Sequence, residues 1–289
     1  MNHAHTHTPH HGAAHGHHEH AMDGQAEILD LDAEVLGEHT ASITAWLPLQ
    51  TAPHHIVDLG CGTGAGTFAL LDRFPDAYVT AVDASAEHLQ RLRTKAYTRG
   101  VEERVRTVQA DLDDDTWPDL GSPDLIWASA SMHHMAHPDR ALRTVHDTLA
   151  PGGLFAVVEL AGHPRFLPAD APAERPGLEE RIHAAADRRQ AEHVPHRGAD
   201  WGPMLTAAGF TVEGERTITV NIEGSRSEAV GRYATGVLRR IHSVIADRLS
   251  PEDLTALDRL LDTSGPHSIL RRDDLTVRTE RTVWAARRI

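Results

Sequence analysis

One glycine-rich segment constrains what this chain can fold into more than any other feature. The run Val57-Asp58-Leu59-Gly60-Cys61-Gly62-Thr63-Gly64-Ala65-Gly66-Thr67 places four glycines in seven positions. The residues before it, 55–59, predict a strand, and residues 67–74 predict a helix. Glycine lacks a Cβ, so the backbone here can approach a ligand closely, and the helix start adds free N–H groups. The segment predicts a cradle for a nucleotide-type ligand, since a plain tight turn needs fewer glycines.

Short apolar runs alternate with helical stretches across the first half of the chain. Strands are predicted at residues 55–59, 78–82, 104–110, 124–128 and 154–160, and helices at 67–74, 85–99 and 138–149. Alternation at this spacing predicts an α/β fold with a parallel sheet covered on both faces. Such sheets bind ligands beyond the carboxyl ends of their strands, where the strand order reverses.

Composition excludes several classes of protein. The chain has 28 Lys and Arg against 42 Asp and Glu, and the net charge of −14 disfavours nucleic acid because phosphate contacts need cations. A single cysteine, Cys61, excludes a disulfide-stapled fold. We expect no membrane span, since no stretch approaches the roughly 20 apolar residues that a span needs. No signal peptide is recognisable either, so we expect a cytoplasmic protein.

Histidine dominates the first 24 residues. This tail cannot bury a core, and we expect it to be disordered. Imidazoles at this density would bind Zn or Ni incidentally. No metal site is expected in the core, because the run from Asp111 to Asp115 lacks the glycine and the terminal Glu of a calcium loop.

The glycine segment alone leaves the nucleotide open. Gly60, Gly62 and Ala65 fit the dinucleotide pattern G-x-G-x-x-G/A, and Asp83 stands where a ribose-binding acid is expected. An NAD(P)-dependent oxidoreductase is therefore an alternative, disfavoured because the chain has no Tyr-x-x-x-Lys pair. Another alternative is a metal-responsive nucleoside-binding protein without catalysis, in which the tail loads Zn or Ni.

Four segments together resemble the small-molecule class I S-adenosylmethionine-dependent methyltransferases. Asp58-x-Gly60-x-Gly62-x-Gly64 resembles the first motif of that family. Ala81-Val82-Asp83-Ala84-Ser85 resembles the end of the family's second strand, and Val108-Gln109-Ala110-Asp111-Leu112 resembles its third strand. Leu149-Ala150-Pro151-Gly152-Gly153-Leu154 resembles the turn before its fifth strand. The four segments cover residues 56–160 in the order and spacing of the family.

The resemblance implies S-adenosyl-L-methionine as cofactor and methyl transfer to an oxygen or nitrogen atom of a small organic acceptor, with carbon the least favoured. Asp83 would bind the ribose hydroxyls and Asp111 the adenine amino group, and Asp58 would hold loop amides near the cofactor's amino group. The full set of implied cofactor-binding residues is Asp58, Gly60, Cys61, Gly62, Gly64, Asp83, Ala84, Asp111, Leu112 and Ser129.

The resemblance also implies a Rossmann-like, doubly wound, mostly parallel seven-stranded sheet with an antiparallel C-terminal strand. Residues 25–222 and 266–289 would form this core, because residues 275–286 alternate as a strand does. Helices predicted at 228–249 and 251–262 would then lie in an insertion or lid, residues 223–265.

The acceptor side is expected after the fourth and fifth strands. His133 and His134 follow the fourth strand, and either could act as general base or orient the acceptor. A base is not obligatory, because methyl transfer needs chiefly an in-line approach in a desolvated site. Glu159, His163 and Arg165 could also face the acceptor, or could be ordinary loop residues.

Overall fold

The computed structural model describes residues 14–194, 196–224 and 227–289, with side chains of the first helix described from Gly24. The strands are β1 (His55–Leu59), β2 (Tyr78–Asp83), β3 (Val105–Gln109), β4 (Leu125–Ser129), β5 (Leu154–Leu160), β6 (Thr211–Glu223) and β7 (Thr276–Arg287). The helices are α1 (Ala14–Trp46), α2 (Ala65–Arg73), α3 (Ala86–Thr98), α4 (Pro138–Thr148), α5 (Leu178–His193), α6 (Gly202–Ala207), α7 (Glu228–Ile245) and α8 (Pro251–Leu261).

All seven strands form one sheet, in the order β3-β2-β1-β4-β5-β7-β6. β1 to β5 pair in parallel, whereas β7 is antiparallel to both β5 and β6. The predicted fold class is confirmed. The strand order reverses between β1 and β4, so a crevice opens beyond their carboxyl ends, at the glycine segment and at the turn after β4.

Apolar side chains fill both faces of the sheet. In β4, Leu125 and Trp127 belong to one buried cluster, and Ile126 and Ala128 belong to the cluster on the opposite face. This alternation follows from the period of two in a strand. Because helices cover both faces, the central strands read in the sequence as continuous apolar runs.

The first helix begins inside the histidine-rich tail. Residues 1–13 of that tail lie outside the described residues, while the backbone from Ala14 onward is helical as the start of α1. The expected disorder of residues 1–24 stays a prediction. Among the side chains described, from Gly24 onward, the first buried one is Ala26.

Two helices lie between β6 and β7, at the positions where the sequence predicted helical stretches. Ser227 caps α7 by accepting a hydrogen bond from the Val230 N–H, and Ser250 caps α8 through the Asp253 N–H. α7 packs against both α1 and α5. The insertion therefore lies against the core, and its function as a lid stays a prediction. Within the described ranges, no helix has the length and apolar character needed to span a membrane.

Candidate active site

The glycine loop after β1 requires glycine for two physical reasons. Gly60 and Gly62 have φ angles of +66° and +53°, a region that side chains with a Cβ rarely adopt. A Cβ on Gly60 would also lie 2.4 Å from Cβ of Ser131, in the turn after β4. The loop therefore lies directly against that turn.

Asp58 connects β1 to the helix that follows the loop. Its Oδ2 accepts a 2.7 Å hydrogen bond from the Thr67 hydroxyl in α2, and the residue is 2% exposed. Burial raises the pKa of Asp58 to about 7, against the opposing effect of the Thr67 hydroxyl and backbone N–H. We expected Asp58 to bind the amide groups of the glycine loop, but its hydrogen bond is to Thr67 in the first turn of α2.

Asp83, the last residue of β2, turns its carboxylate onto the glycine loop. Its Oδ2 accepts from the Gly62 N–H at 2.8 Å, and its Oδ1 accepts from the Ser85 N–H at 2.8 Å. Nδ1 of His88 lies 3.2 Å from the same Oδ1. Burial alone would raise the pKa of Asp83, but these hydrogen bonds lower it below its ordinary value. The crevice therefore holds an ionised carboxylate at the end of β2. Ala84 follows as an exposed residue.

Asp111 lies just beyond the neighbouring strand. β2 pairs with β3 so that Asp83 lies opposite Gln109, two residues before Asp111. Asp111 is exposed, and its Oδ1 accepts from the Asp113 N–H at 2.9 Å. Leu112 is buried, and its carbonyl accepts a 3.1 Å bond from the Trp117 indole. The two acids therefore lie at the ends of adjacent strands, as the sequence predicted.

Cys61 lies within the loop as a buried thiol. Burial raises the pKa of this thiol well above its ordinary value, and the carboxylates of Asp58 and Asp83 raise it further. A thiol in this environment is a poor nucleophile. In the part of the chain that the structure describes, no three His, Cys, Asp or Glu residues are grouped in a way that could hold a metal ion.

The turn after β4 brings a histidine onto a glutamate of β5. Ser129 ends β4, and His133 lies in the short 3-10 turn Met132–His134. The backbone N–H of His133 donates to Oε1 of Glu159 at 3.2 Å, and the ring nitrogen Nδ1 of His133 lies 2.5 Å from Oε2 of Glu159. Both side chains are 2% exposed. Because Nδ1 is engaged, Nε2 is the nitrogen of His133 that remains to exchange a proton.

The neighbouring histidines have a different electrostatic environment. His134 is more exposed than His133, with the two ring centroids 4.1 Å apart. Burial of its inner face lowers the pKa of His134 to about 4, and the positive charges of Arg197 and Arg240 contribute. Burial lowers the pKa of His163 to about 3, again with Arg197 contributing. Both rings are therefore neutral near pH 7.

Comparison with known proteins identifies the family. The methyltransferase domain family matches residues 57–155, which run from β1 into β5. A trans-aconitate 2-methyltransferase of Mycolicibacterium gilvum is 28% identical over 82% of this chain and 88% of its own length. The same match that contains the glycine loop also contains Asp83 and Asp111. Residues 57–155 match a methyltransferase domain, and these findings support a class I S-adenosylmethionine-dependent methyltransferase. The predicted family, enzyme class and cofactor are confirmed, and the dehydrogenase alternative is not supported.

Other methyltransferase relatives match a smaller part of the chain. A trans-aconitate 2-methyltransferase of Acidovorax sp. (strain JS42) is 41% identical over 37% of this chain, and the match spans only 38% of that relative. The 27-O-demethylrifamycin SV methyltransferase of Amycolatopsis mediterranei is 33% identical over 50% of this chain and 54% of its own length. The sequence similarity to these two relatives therefore covers half of this chain or less.

Solved structures share the fold at low sequence identity. One is a protein of Bacillus halodurans C-125 that has been provisionally named a methyltransferase. It superposes with a TM-score of 0.55, at 16% identity, over 86% of this chain and 98% of its own. The cyclase SpnF superposes with a TM-score of 0.50, at 21% identity, over 86% of this chain and 79% of its own. A cyclase on this fold means that the fold by itself does not define the reaction.

Two arginines near the crevice were missed by the sequence analysis. Arg197 lies in the segment after α5, and Arg240 lies in α7. Both segments are rich in charged residues, so no local pattern distinguishes these two from solvated arginines. Glu159 was recognised only as a polar residue near the end of the fifth strand, together with His163 and Arg165 beyond it. Its pairing with His133 depends on the register of β4 and β5, which place Ser129 opposite Val158.

Proposed function

We propose that this methyltransferase transfers a methyl group to a hydroxyl oxygen of a small organic acceptor, with His133 as general base. The observation that carries the proposal is the buried contact between His133 and Glu159, since a fixed imidazole beside the glycine loop is suited to taking a proton from an oxygen.

The residues of the crevice fit S-adenosylmethionine. The glycine loop lies next to the ionised carboxylate of Asp83, which suits ribose hydroxyls. Asp111 and Leu112 follow the neighbouring strand β3, on the side to which the adenine of a bound nucleoside would extend. Ser129 would border the methionine part, and Asp58 would support the loop from beneath. When bound, this cofactor supplies a methyl group on a positively charged sulfur.

His133 and Glu159 act as a unit in this proposal. Glu159 fixes the ring through Nδ1, so that Nε2 faces the acceptor as the proton-accepting nitrogen. With the cofactor bound, the bond between the acceptor oxygen and the methyl carbon would form as the sulfur–methyl bond breaks, with S-adenosylhomocysteine as the leaving group. The proton of the acceptor hydroxyl would pass to Nε2 of His133. His134 is a weaker candidate for the base, because its lowered pKa makes it a poor proton acceptor at neutral pH. His134 would instead line the acceptor side.

Charge in the crevice favours oxygen over nitrogen as the acceptor atom. Besides burial, Arg197 and Arg240 lower the pKa of His134, so their charges disfavour a further positive charge beside that residue. An amine is protonated at neutral pH and would be repelled there, whereas a hydroxyl group is not. The names of the relatives, which refer to trans-aconitate and to a 27-O position of a rifamycin, support a small organic acceptor.

The first test is calorimetric titration of the full-length protein with S-adenosylhomocysteine and, separately, with NADH. We expect micromolar binding of S-adenosylhomocysteine alone. Binding of NADH alone would overturn the proposal.

The second test measures methyl transfer by His133→Ala and Glu159→Gln with a labelled methyl donor and a hydroxyl acceptor found by screening. Loss of a general base should lower kcat about 100-fold or more for His133→Ala, with unchanged affinity for S-adenosylhomocysteine. His54→Ala is the control and should retain the wild-type activity, because His54 is exposed and directly precedes β1, at the end of the strand opposite the glycine loop. If the rate of His133→Ala equals that of the wild type, His133 is not the base.

A further inference from the structure

The carboxylate of Asp83 has three hydrogen-bond partners within the protein itself. Its Oδ2 accepts from the backbone N–H of Gly62 at 2.8 Å, and its Oδ1 accepts from the backbone N–H of Ser85 at 2.8 Å. The ring nitrogen Nδ1 of His88 lies 3.2 Å from the same Oδ1. An ionised carboxylate offers about four lone-pair sites, divided between its two oxygens. Oδ1 is therefore saturated by the protein, whereas Oδ2 keeps one open site.

The ring of His88 is the donor in its contact with Asp83. Burial acts to raise the pKa of Asp83, but the hydrogen bonds to this carboxylate lower it below its ordinary value. The carboxylate is therefore ionised at neutral pH and has no proton to donate. The contact between Nδ1 and Oδ1 then requires the proton to be on Nδ1. A hydrogen bond to an ionised acceptor is stronger than one between neutral groups.

His88 is fixed in the first turn of α3. Ser85 caps this helix, and its hydroxyl oxygen accepts a hydrogen bond from the backbone N–H of His88 at 3.2 Å. The side chain of His88 is 10% exposed, and that of Asp83 is 13% exposed. A packed ring on a capped helix has little freedom to turn away from its partner. The contact between His88 and Asp83 is therefore a built feature of the crevice.

We propose that His88 restricts Asp83 to one of the two ribose hydroxyls of S-adenosylmethionine. This inference rests on the proposed function, which places the ribose at Asp83. The open site on Oδ2 accepts one hydroxyl group, and His88 occupies the site on Oδ1 that a second hydroxyl group would need. His88 is thus a positioning residue, which acts through Asp83 and determines how many hydroxyl groups this carboxylate recognises.

Exchange of a protein donor for the second hydroxyl group is unfavourable. Displacement of the Ser85 N–H would break the turn between β2 and α3, and displacement of the His88 ring would leave a buried N–H without an acceptor. A buried donor that loses its partner costs its full desolvation, whereas a hydroxyl group that leaves water gains only the net value of one hydrogen bond. The protein donors therefore stay on Oδ1.

The test is calorimetric titration of the full-length protein with S-adenosylhomocysteine and with its 2′-deoxy and 3′-deoxy analogues. Each analogue lacks one ribose hydroxyl and keeps the rest of the ligand. We expect wild type to bind one analogue at least about tenfold more weakly than S-adenosylhomocysteine, as for the loss of a hydrogen bond to a charged group. The other analogue should bind within about twofold of S-adenosylhomocysteine, because its missing hydroxyl has no site on Asp83.

Two variants separate the donor of His88 from its bulk. His88→Leu fills the space and removes the donor, so that Oδ1 gains an open site. We expect both deoxy analogues to bind this variant at least about fivefold more weakly than S-adenosylhomocysteine does. His88→Asn keeps a donor at the position of Nδ1 and should restore the wild-type pattern. A merely structural role of His88 would instead change the affinities for all three ligands by the same factor.

His242→Leu is the matched control. Nε2 of His242 in α7 lies 3.0 Å from Oδ1 of Asp258 in α8, so this variant also removes a histidine beside an aspartate, but in the insertion. It should leave all three affinities unchanged. The comparison of the ligands in wild type decides the inference even if His88→Leu lowers the thermal stability of the protein.

Two results would overturn this inference without touching the proposed function. They are a similar weakening of both analogues in wild type, and a His88→Leu variant that still distinguishes only one hydroxyl group. Equal binding of all three ligands by wild type would instead contradict the placement of the ribose at Asp83. Asp83→Asn checks that placement, since it should weaken S-adenosylhomocysteine at least about tenfold through the loss of the charged acceptor.

Discussion

Among single residues, Asp58 has the least ordinary environment. A carboxyl group buried between two strands and a helix has little solvation, and its hydrogen bond to the Thr67 hydroxyl compensates only in part. The pKa of about 7 places the titration of Asp58 near neutral pH. Its charge therefore depends on what binds beside the loop, and a cationic ligand group there would favour the ionised form.

Titration of Asp58 should appear in the stability of the free protein. The folded state keeps a proton that the unfolded chain releases near pH 3.8, so this stabilising contribution is complete below that pH and is lost as the pH rises through about 7. The difference in pKa corresponds to about 4 kcal/mol of folding free energy. Urea unfolding from pH 5 to pH 8 should show wild type losing stability relative to Asp58→Asn by about 2–3 kcal/mol. If the free energies of unfolding of wild type and Asp58→Asn changed in parallel with pH, the raised pKa of Asp58 would be contradicted.

Gly60 allows a second prediction at the residue scale, because the chain contains a matched control. Gly60 and Gly100 share a φ of +66°, but a Cβ on Gly100 would meet no atom within 4 Å. Gly100→Ala should cost about 1–2 kcal/mol of stability through the backbone alone. Gly60→Ala should cost more, because its Cβ would contact Ser131, and should abolish S-adenosylhomocysteine binding. Thermal unfolding and calorimetry measure the two effects, and equal behaviour of the variants would contradict the close contact.

Among the helices, α1 joins parts of the molecule that are far apart in the chain. Asp32 accepts a 2.6 Å hydrogen bond from the Tyr233 hydroxyl of α7, and Nη2 of Arg281 in β7 lies 2.7 Å from both of its carboxylate oxygens. Lys95 of α3 contacts both Asp30 and the Thr63 carbonyl. α1 is therefore linked to the insertion, to β7 and to the residues beside the glycine loop.

The ion pair between Asp32 and Arg281 gives a prediction at this scale. Arg281 is 8% exposed, so Asp32→Asn leaves a buried positive charge without its partner. We expect a loss of about 3 kcal/mol in the free energy of unfolding. Glu27→Gln is the control in the same helix, because its pair with Arg232 is exposed and should change stability by less than about 1 kcal/mol. Urea denaturation measures the free energy of unfolding of both variants. Similar losses would mean that the buried pair of Asp32 and Arg281 stabilises the fold no more than the exposed pair does.

At the scale of the whole molecule, the described core begins after the histidine-rich tail. Deletion of residues 1–22 removes most of the tail and none of the residues that the structure describes as buried, the first of which is Ala26. We expect the truncated protein to keep its thermal stability and its affinity for S-adenosylhomocysteine, while its binding of Ni²⁺ falls sharply. Calorimetry with both ligands tests this. Loss of cofactor affinity on truncation would favour the metal-responsive alternative.

The order of elements was largely predictable. Residues 154–160 form a strand with the predicted bounds, and the strand predicted at 104–110 is β3, Val105–Gln109. The helix predicted at 228–249 ends earlier, at Ile245, and continues as a 3-10 turn over Ala246–Arg248. Interior periodicity is a local property and is visible in the chain, whereas the last turn of a helix depends on its tertiary surroundings.

The sequence by itself determined the glycine loop, the α/β alternation and the two acids that follow β2 and β3, because each depends on neighbouring residues and on the period of a strand or helix. Only the tertiary structure decided which groups meet on the acceptor side. His133 and Glu159 are 26 residues apart, and Asp32 and Arg281 are 249 apart. Such contacts depend on strand order, register and the packing of the insertion. Those in turn are set by the burial of the whole core, which no local pattern contains.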